Sequence, residues 1–166
     1  ISARLDLRKA ILLGKNGQQA RLDKLPADTA KFFMKAPDNN VLEFALSRKV
    51  ILVEGDAEFI LLDALYRKHS ASTQKQDGVH VISVGGTSFK RYLDLAKLLG
   101  VRTAVIRDND GDCQKNCVDN YAEHMMPHAK VFADIDSKQR TTFEICLYED
   151  NKAVCCVGLR KPKRKL

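Results

Sequence analysis

The sequence predicts an α/β domain built on a central, mostly parallel sheet flanked by helices. Three observations predict it: short β-branched runs recur through the middle of the chain, a stretch with helical spacing follows most of them, and small or acidic residues sit at the junctions. Strands that alternate with helices pair in parallel, because a crossover helix is what joins two parallel neighbours. The 166 residues suit one domain of ordinary size with an added segment at either end, and an apolar fraction of 45% is enough for a real core.

The first 45 residues are mixed in pattern. Residues 5–13 allow a short strand, Lys15-Asn16-Gly17 reads as a turn, and Pro26 and Pro37 bracket a short helix containing Phe32, Phe33 and Met34. After the breaker Pro37-Asp38-Asn39-Asn40, residues 41–45 allow a helical turn. The first clean strand is Val50-Ile51-Leu52-Val53, a continuous apolar run of the kind buried in parallel sheets, and Glu54-Gly55-Asp56 follows it. A helix over 57–68 places Phe59, Leu62, Leu65 and Tyr66 at helical spacing, and 70–78 is a polar loop. A second strand over 79–84 runs into Gly85-Gly86, and a helix over 88–99 stops at Gly100. The third strand, 101–106, ends at Arg107-Asp108-Asn109-Asp110-Gly111-Asp112. A helix over 121–128, a fourth strand over 130–133 and a helix over 141–148 complete the alternation.

Composition narrows the function classes. No apolar run approaches the ~18 residues of a membrane span, so no membrane role is expected. The opening Ile1-Ser2-Ala3-Arg4-Leu5-Asp6 has neither an initiator Met nor a signal-peptide pattern, and predicts a fragment cut from a longer protein. Cysteines at 113, 117, 146, 155 and 156 are odd in number and lack framework spacing, which argues against a secreted disulfide scaffold and for a cytoplasmic protein. The net charge of +7 falls to +2 without Arg160, Lys161, Lys163, Arg164 and Lys165, so the body is nearly balanced and the basic tail is either a solvated charge run or a phosphate contact.

The acids carry the chemistry. In open α/β sheets the functional crevice lies at the carboxyl ends of the strands, and Glu54, Asp108 and Asp110 directly follow two of them. Glu58 falls in the first turn of the next helix, where a tight turn at Gly55 would aim it at the same point as Glu54. If the third strand stays extended past its end, Asp108 and Asp110 point to one side, ~6.5–7 Å apart along the chain. Such a set needs a cation, and Mg²⁺ or Mn²⁺ suits sparse carboxylates that share an ion with substrate phosphate. Two ions would activate a water and stabilise the leaving oxygen of a phosphodiester. Taken singly, each piece has a bland reading: Glu-x-x-x-Glu is ordinary charge at a helix start, and Asp-Asn-Asp-Gly is ordinary turn chemistry. An EF-hand does not fit, since Gly111 is at the fourth position and Asp119 at the twelfth. The run Cys113, Cys117, His124, His128 has too short an inner gap for the usual zinc finger and reads as packing and a helical His pair.

These residues resemble the Toprim domain, a Rossmann-like fold shared by type IA topoisomerases, bacterial primases and several nucleases, marked by a Glu-Gly turn after the first strand and a later Asp-x-Asp. The finer resemblance is to the OLD-family (overcoming lysogenization defect) nucleases, through Val53-Glu54-Gly55-Asp56-Ala57-Glu58, Val84-Gly85-Gly86, Asp108-Asn109-Asp110 and Thr142-Phe143-Glu144 in order. The resemblance implies a Toprim catalytic domain over 46–150, preceded at 1–45 by a connector from an ABC-type ATPase domain and followed at 151–166 by a truncated basic extension. It implies that Glu54, Glu58, Asp108 and Asp110 are catalytic metal ligands, with Glu144 completing a second site. Gly85 and Gly86 would let backbone approach phosphate or a carboxylate, and Lys161 and Lys163 would contact substrate. The family's downstream lysine, which stabilises the transition state, is expected beyond Leu166. No Gly-rich loop ending in Gly-Lys-Ser/Thr occurs, so ATP binding is expected only in the preceding domain, which would also carry any homodimer contact.

The function expected is thus Mg²⁺- or Mn²⁺-dependent DNA endonuclease activity with two ions, as the nuclease part of an ATP-dependent enzyme. The alternatives are a non-catalytic nucleic-acid-binding module with a structural ion, and a primase- or topoisomerase-type Toprim domain. A phosphatase with Asp108 as nucleophile shares the Asp-x-Asp signature.

Overall fold

The computed structural model describes residues 9, 11–13, 19–35, 40–86 and 88–158. The predicted turn at Lys15-Asn16-Gly17, the breaker at residues 37–39, and Lys161 and Lys163 lie outside the described residues.

Four strands form one sheet: β3 (Lys49–Val53), β4 (Val79–Ser83), β5 (Arg102–Ile106) and β6 (Ala129–Phe132), in the order β4-β3-β5-β6 with every pairing parallel. A separate antiparallel pair, β1 (Ile11–Leu13) and β2 (Gln19–Arg21), precedes them. α3 (Asp56–Ser70) carries β3 to β4 in one direction, and α4 (Phe89–Leu99) carries β4 back across β3 to β5. Right-handed crossovers of opposite direction put α3 and α4 on opposite faces of the sheet. The α/β architecture and the positions of all four sheet strands agree with expectation to within one residue at each end.

The core lies mainly on the α4 face. Leu52 is in register with Ile82 and Val105, and all three are buried beneath Phe89, Leu93 and Ala96 of α4. The same cluster takes in α1 (Ala27–Lys35) and α2 (Asn40–Leu46) through Ala30, Phe33, Val41 and Phe44, so much of the segment expected as a connector packs on the sheet domain. Tyr92 joins these elements by ring contacts of 5.0 Å to Phe33 and 5.6 Å to Phe44. Aromatic pairs at such distances contribute beyond their buried area. The opposite face is less fully covered, and Lys49, Arg102, Lys130 and Phe132 are exposed along it.

One element differs in place and kind. The expected helix over 121–128 is a π-helical turn, Gln114–Val118, followed by a 3-10 turn, Asp119–His124. Pro127 disfavours helix at Met126, which instead bridges Ala129, so the helix cannot reach His128. Cys117 and Tyr121 are buried, and Tyr121 meets Phe89 edge-on with centroids 6.5 Å apart. α5 (Phe143–Asp150) starts two residues later than expected, and α6 (Lys152–Gly158) occupies the first half of the expected basic extension.

Candidate metal centre

β3 and β5 are the two central strands, and their carboxyl ends deliver the acids to one edge of the sheet. Glu54 leaves β3 half-buried, and its main-chain carbonyl accepts the N–H of Gly86 at 3.2 Å. Gly85 and Gly86 have φ of +62° and +100°, which only glycine adopts without strain, and this is what lets the strand-to-helix loop turn back onto Glu54. The close approach expected of the glycine pair is therefore to the Glu54 backbone.

Glu58 is buried, at 5% relative exposure, and its Oε2 accepts the N–H of Gly55 at 3.3 Å. One neutral donor does little for a buried carboxylate, which is costly unless a cation is near. Asp108 follows β5 half-buried and accepts the N–H of Phe143, the first residue of α5, at 2.8 Å. Burial pushes its carboxyl from the ordinary 3.8 to about 6; the Phe143 bond opposes this, while the charges of Glu54, Glu58 and Glu144 add to it. Glu54 beyond β3, Glu58 of α3 and Glu144 of α5 therefore lie within electrostatic reach of Asp108 beyond β5. Glu144 itself is exposed in the first turn of α5, whose start is capped by the Thr142 hydroxyl accepting Ile145 N–H at 3.4 Å.

Asp110 reaches the cluster by a different route from the one expected. The chain is not extended past Ile106: Asp110 has φ +50° in a turn and is exposed, so Asp108 and Asp110 are not related by strand alternation. Asp tolerates this left-handed conformation better than most residues. Asp110 is tied in by Arg107, whose Nη2 donates to its Oδ2 at 2.7 Å while Nη1 donates to Glu54 Oε2. The Arg107 side chain is 7% exposed. Burial works against its charge, but Glu54 and Asp110 outweigh that and hold it protonated. The chain thus supplies one cation of its own to these acids.

Asn109, like Arg107, is absent from the residues that the sequence pattern marks out. It is 1% exposed, and its Nδ2 lies 2.9, 3.3 and 2.8 Å from the carbonyls of Asp134, Asp136 and Arg140, while its Oδ1 accepts Gly111 N–H at 2.9 Å. The Asn-x-Gly spacing is an Asx-turn signal that could have flagged it. A cleft of about 270 Å³ opens beside Asp108, lined in part by Phe132, Arg140, Thr142 and Phe143.

The Cys and His residues weighed for zinc are not gathered into one site among the described residues. His124 pairs with Asp94 at 3.5 Å, His128 Nε2 lies 3.1 Å from the Ala96 carbonyl, and Cys117 is buried with Sγ 3.5 Å from the Asp108 carbonyl. Among the described residues no three His, Cys, Asp or Glu side chains are close enough to hold a metal ion as they stand. The acids at the strand ends nevertheless fit a hard divalent cation in donor chemistry: all are carboxylates, they come from separate segments, and buried Glu58 and half-buried Asp108 each accept a backbone N–H.

Residues 46–110 match the family model described as Overcoming lysogenization defect protein-like, TOPRIM domain. No match to a curated protein was found. Among solved structures, the C-terminal region of the OLD protein of Xanthomonas campestris pv. campestris is similar in forms phased with mercury, with iodine and with platinum. The mercury form is 24% identical over 72% of this chain and 67% of that one, with a TM-score of 0.46. For the iodine form the values are 23%, 72%, 66% and 0.45, and for the platinum form 26%, 74%, 66% and 0.43. This chain thus spans about two thirds of the length of those structures.

Proposed function

We propose, from the premise that residues 46–110 are an OLD-like Toprim domain, that this chain is the nuclease part of a Mg²⁺- or Mn²⁺-dependent DNA endonuclease. What supports the reading is that Glu54 and Asp108 follow the neighbouring central strands β3 and β5, with Glu58 and Glu144 within electrostatic reach of Asp108 and Asp110 joined to Glu54 through Arg107. Divalent ions, two in this proposal, would supply the positive charge that phosphodiester hydrolysis needs on the attacking and leaving oxygens.

The chain's own part is positioning and charge. Glu54, Glu58, Asp108 and Asp110 would hold the ions, and Glu144, exposed at the start of α5, would complete the second set of ligands. Asn109 fixes the loop that carries Asp108 and Asp110 to the 134–140 segment. Phosphate would approach past Gly85 and Gly86, where, chain neighbours aside, none of the described residues has an atom within 4 Å of where a Cβ would stand. Lys161 and Lys163 are proposed as backbone contacts to DNA. A preceding ATPase domain at the end of a 1–45 connector, dimerisation through it, a basic extension over 151–166 and a cytoplasmic site of action belong to the same proposal. No described helix is long and apolar enough to cross a membrane.

Plasmid cleavage by the full-length protein tests the reading. With Mg²⁺ or Mn²⁺, Glu54→Ala is expected to lower the rate by about a hundredfold or more, since a lost ligand removes several kcal/mol of charge stabilisation. Unchanged cleavage would end the proposal. Salt-sensitive DNA binding without metal-dependent cleavage, equal in wild type and Glu54→Ala, would favour the non-catalytic module instead.

A further inference from the structure

The acids at the strand ends already have a cation, and it engages one oxygen on each of two of them. Arg107 projects from the end of β5 with its fork split between two chain segments, Nη1 on Glu54 Oε2 and Nη2 on Asp110 Oδ2. It is nearly buried, so it does not exchange these partners freely for water. Tyr121, itself 1% exposed, lies close enough to the guanidinium for that positive charge to act on its hydroxyl.

We propose that Arg107 is a built-in competitor for the metal. It holds Glu54 and Asp110 together in the metal-free protein, and it must release both carboxylates when a divalent ion binds. This rests on the reading of the acids as a metal site. The physical ground is charge: Arg107 engages one oxygen of each carboxylate, and an ion held by their remaining oxygens would bring a +2 charge within ~4 Å of its +1 in a half-buried site, where the two repel strongly. Arg107 therefore sets how much divalent ion is required before the acids are engaged.

Mn²⁺ binding measured by calorimetry on the full chain tests this, with Glu54→Ala as the reference that isolates binding at other sites. Arg107→Gln is expected to bind Mn²⁺ at least roughly tenfold more tightly than wild type, the equivalent of one charge-assisted hydrogen bond no longer to be broken. Its metal-free form is expected to melt lower than wild type, and Mn²⁺ to raise its melting temperature by more. Arg107→Lys keeps a charge but not the fork, and is expected to fall between the two. If Arg107→Gln fails to fold, a several-fold gain in Arg107→Lys supports the proposal in its place. Equal or weaker Mn²⁺ affinity in a folded variant would overturn the proposal and make Arg107 an organiser of the ligands. If neither wild type nor variants bind Mn²⁺ in a Glu54-dependent way, the metal reading falls with it; a lost gain with Glu54-dependent binding intact removes the Arg107 proposal alone.

Discussion

Asp108→Asn is expected to make the metal-free protein more stable at pH 8 while removing metal-dependent DNA cleavage. Burial, with the charges of Glu54, Glu58 and Glu144 behind it, raises the folded-state carboxyl of Asp108 from 3.8 to about 6. The folded protein therefore binds a proton more tightly than the unfolded chain does. Stability from this group is fully present below pH 3.8 and is lost as pH rises through about 6. Above that the wild type carries an ionised carboxylate in a place that disfavours charge, and asparagine does not. Discounted for partial exposure and relaxation, the gain at pH 8 is about 1–2 kcal/mol, or roughly 2–6 °C in melting temperature. The Asn Oδ1 can still accept the Phe143 N–H that Asp108 now accepts. Calorimetry with a chelator at pH 4 and pH 8 checks the sign: the advantage should appear at pH 8 and vanish at pH 4. In the same variant, cleavage should fall by about a hundredfold or more, because a neutral amide is a poor ligand for a hard cation.

Asn109→Ala is expected to lower stability by about 3–5 kcal/mol, near the upper end for a single replacement. Its amide nitrogen, with two N–H donors, lies within reach of three carbonyls of the 134–140 loop, its oxygen accepts the Gly111 N–H, and Asn109 itself is 1% exposed. Each buried group left without a partner costs about 1–3 kcal/mol, and the carbonyls would have to share whatever water entered. Asn109→Asp is expected to fare no better, since a carboxylate cannot donate to a carbonyl and would add charge beside Asp108. Urea denaturation of the three proteins measures this. A loss below about 1 kcal/mol for the alanine variant would mean that the loop is held by something else.

How much of this was legible in the sequence follows from how local each feature is. The strands at 49–53, 79–83 and 102–106 announced themselves through their β-branched, mostly apolar runs, and the glycines at 85, 86 and 100 because positive φ favours glycine over nearly every other residue. The places of Glu54 and Asp108 were legible because a residue that closely follows a parallel strand is positioned by the sheet. Arg107 was not, because a basic residue at a strand end gives no local sign of which carboxylates it will meet, and its partners lie 53 positions before it and 3 after. The π and 3-10 turns at 114–124 were not legible either, since Cys117 and Tyr121 are held by tertiary contacts with the Asp108 loop and Phe89 that override spacing. The turn at Asp110 broke the strand alternation for a similar reason, the demand of Asn109 for buried carbonyls.

The central physical claim is that the folded chain gathers these carboxylates into a pocket able to capture divalent cations. Diffraction from crystals soaked in MnCl₂, with anomalous differences used to place the ion, tests it most directly. The expected result is a peak about 2.1–2.2 Å from carboxylate oxygens of Glu54 and of the Asp108/Asp110 loop, with the Arg107 guanidinium withdrawn from both partners. Manganese bound only elsewhere on the protein, with Arg107 still gripping Glu54 and Asp110, would contradict it.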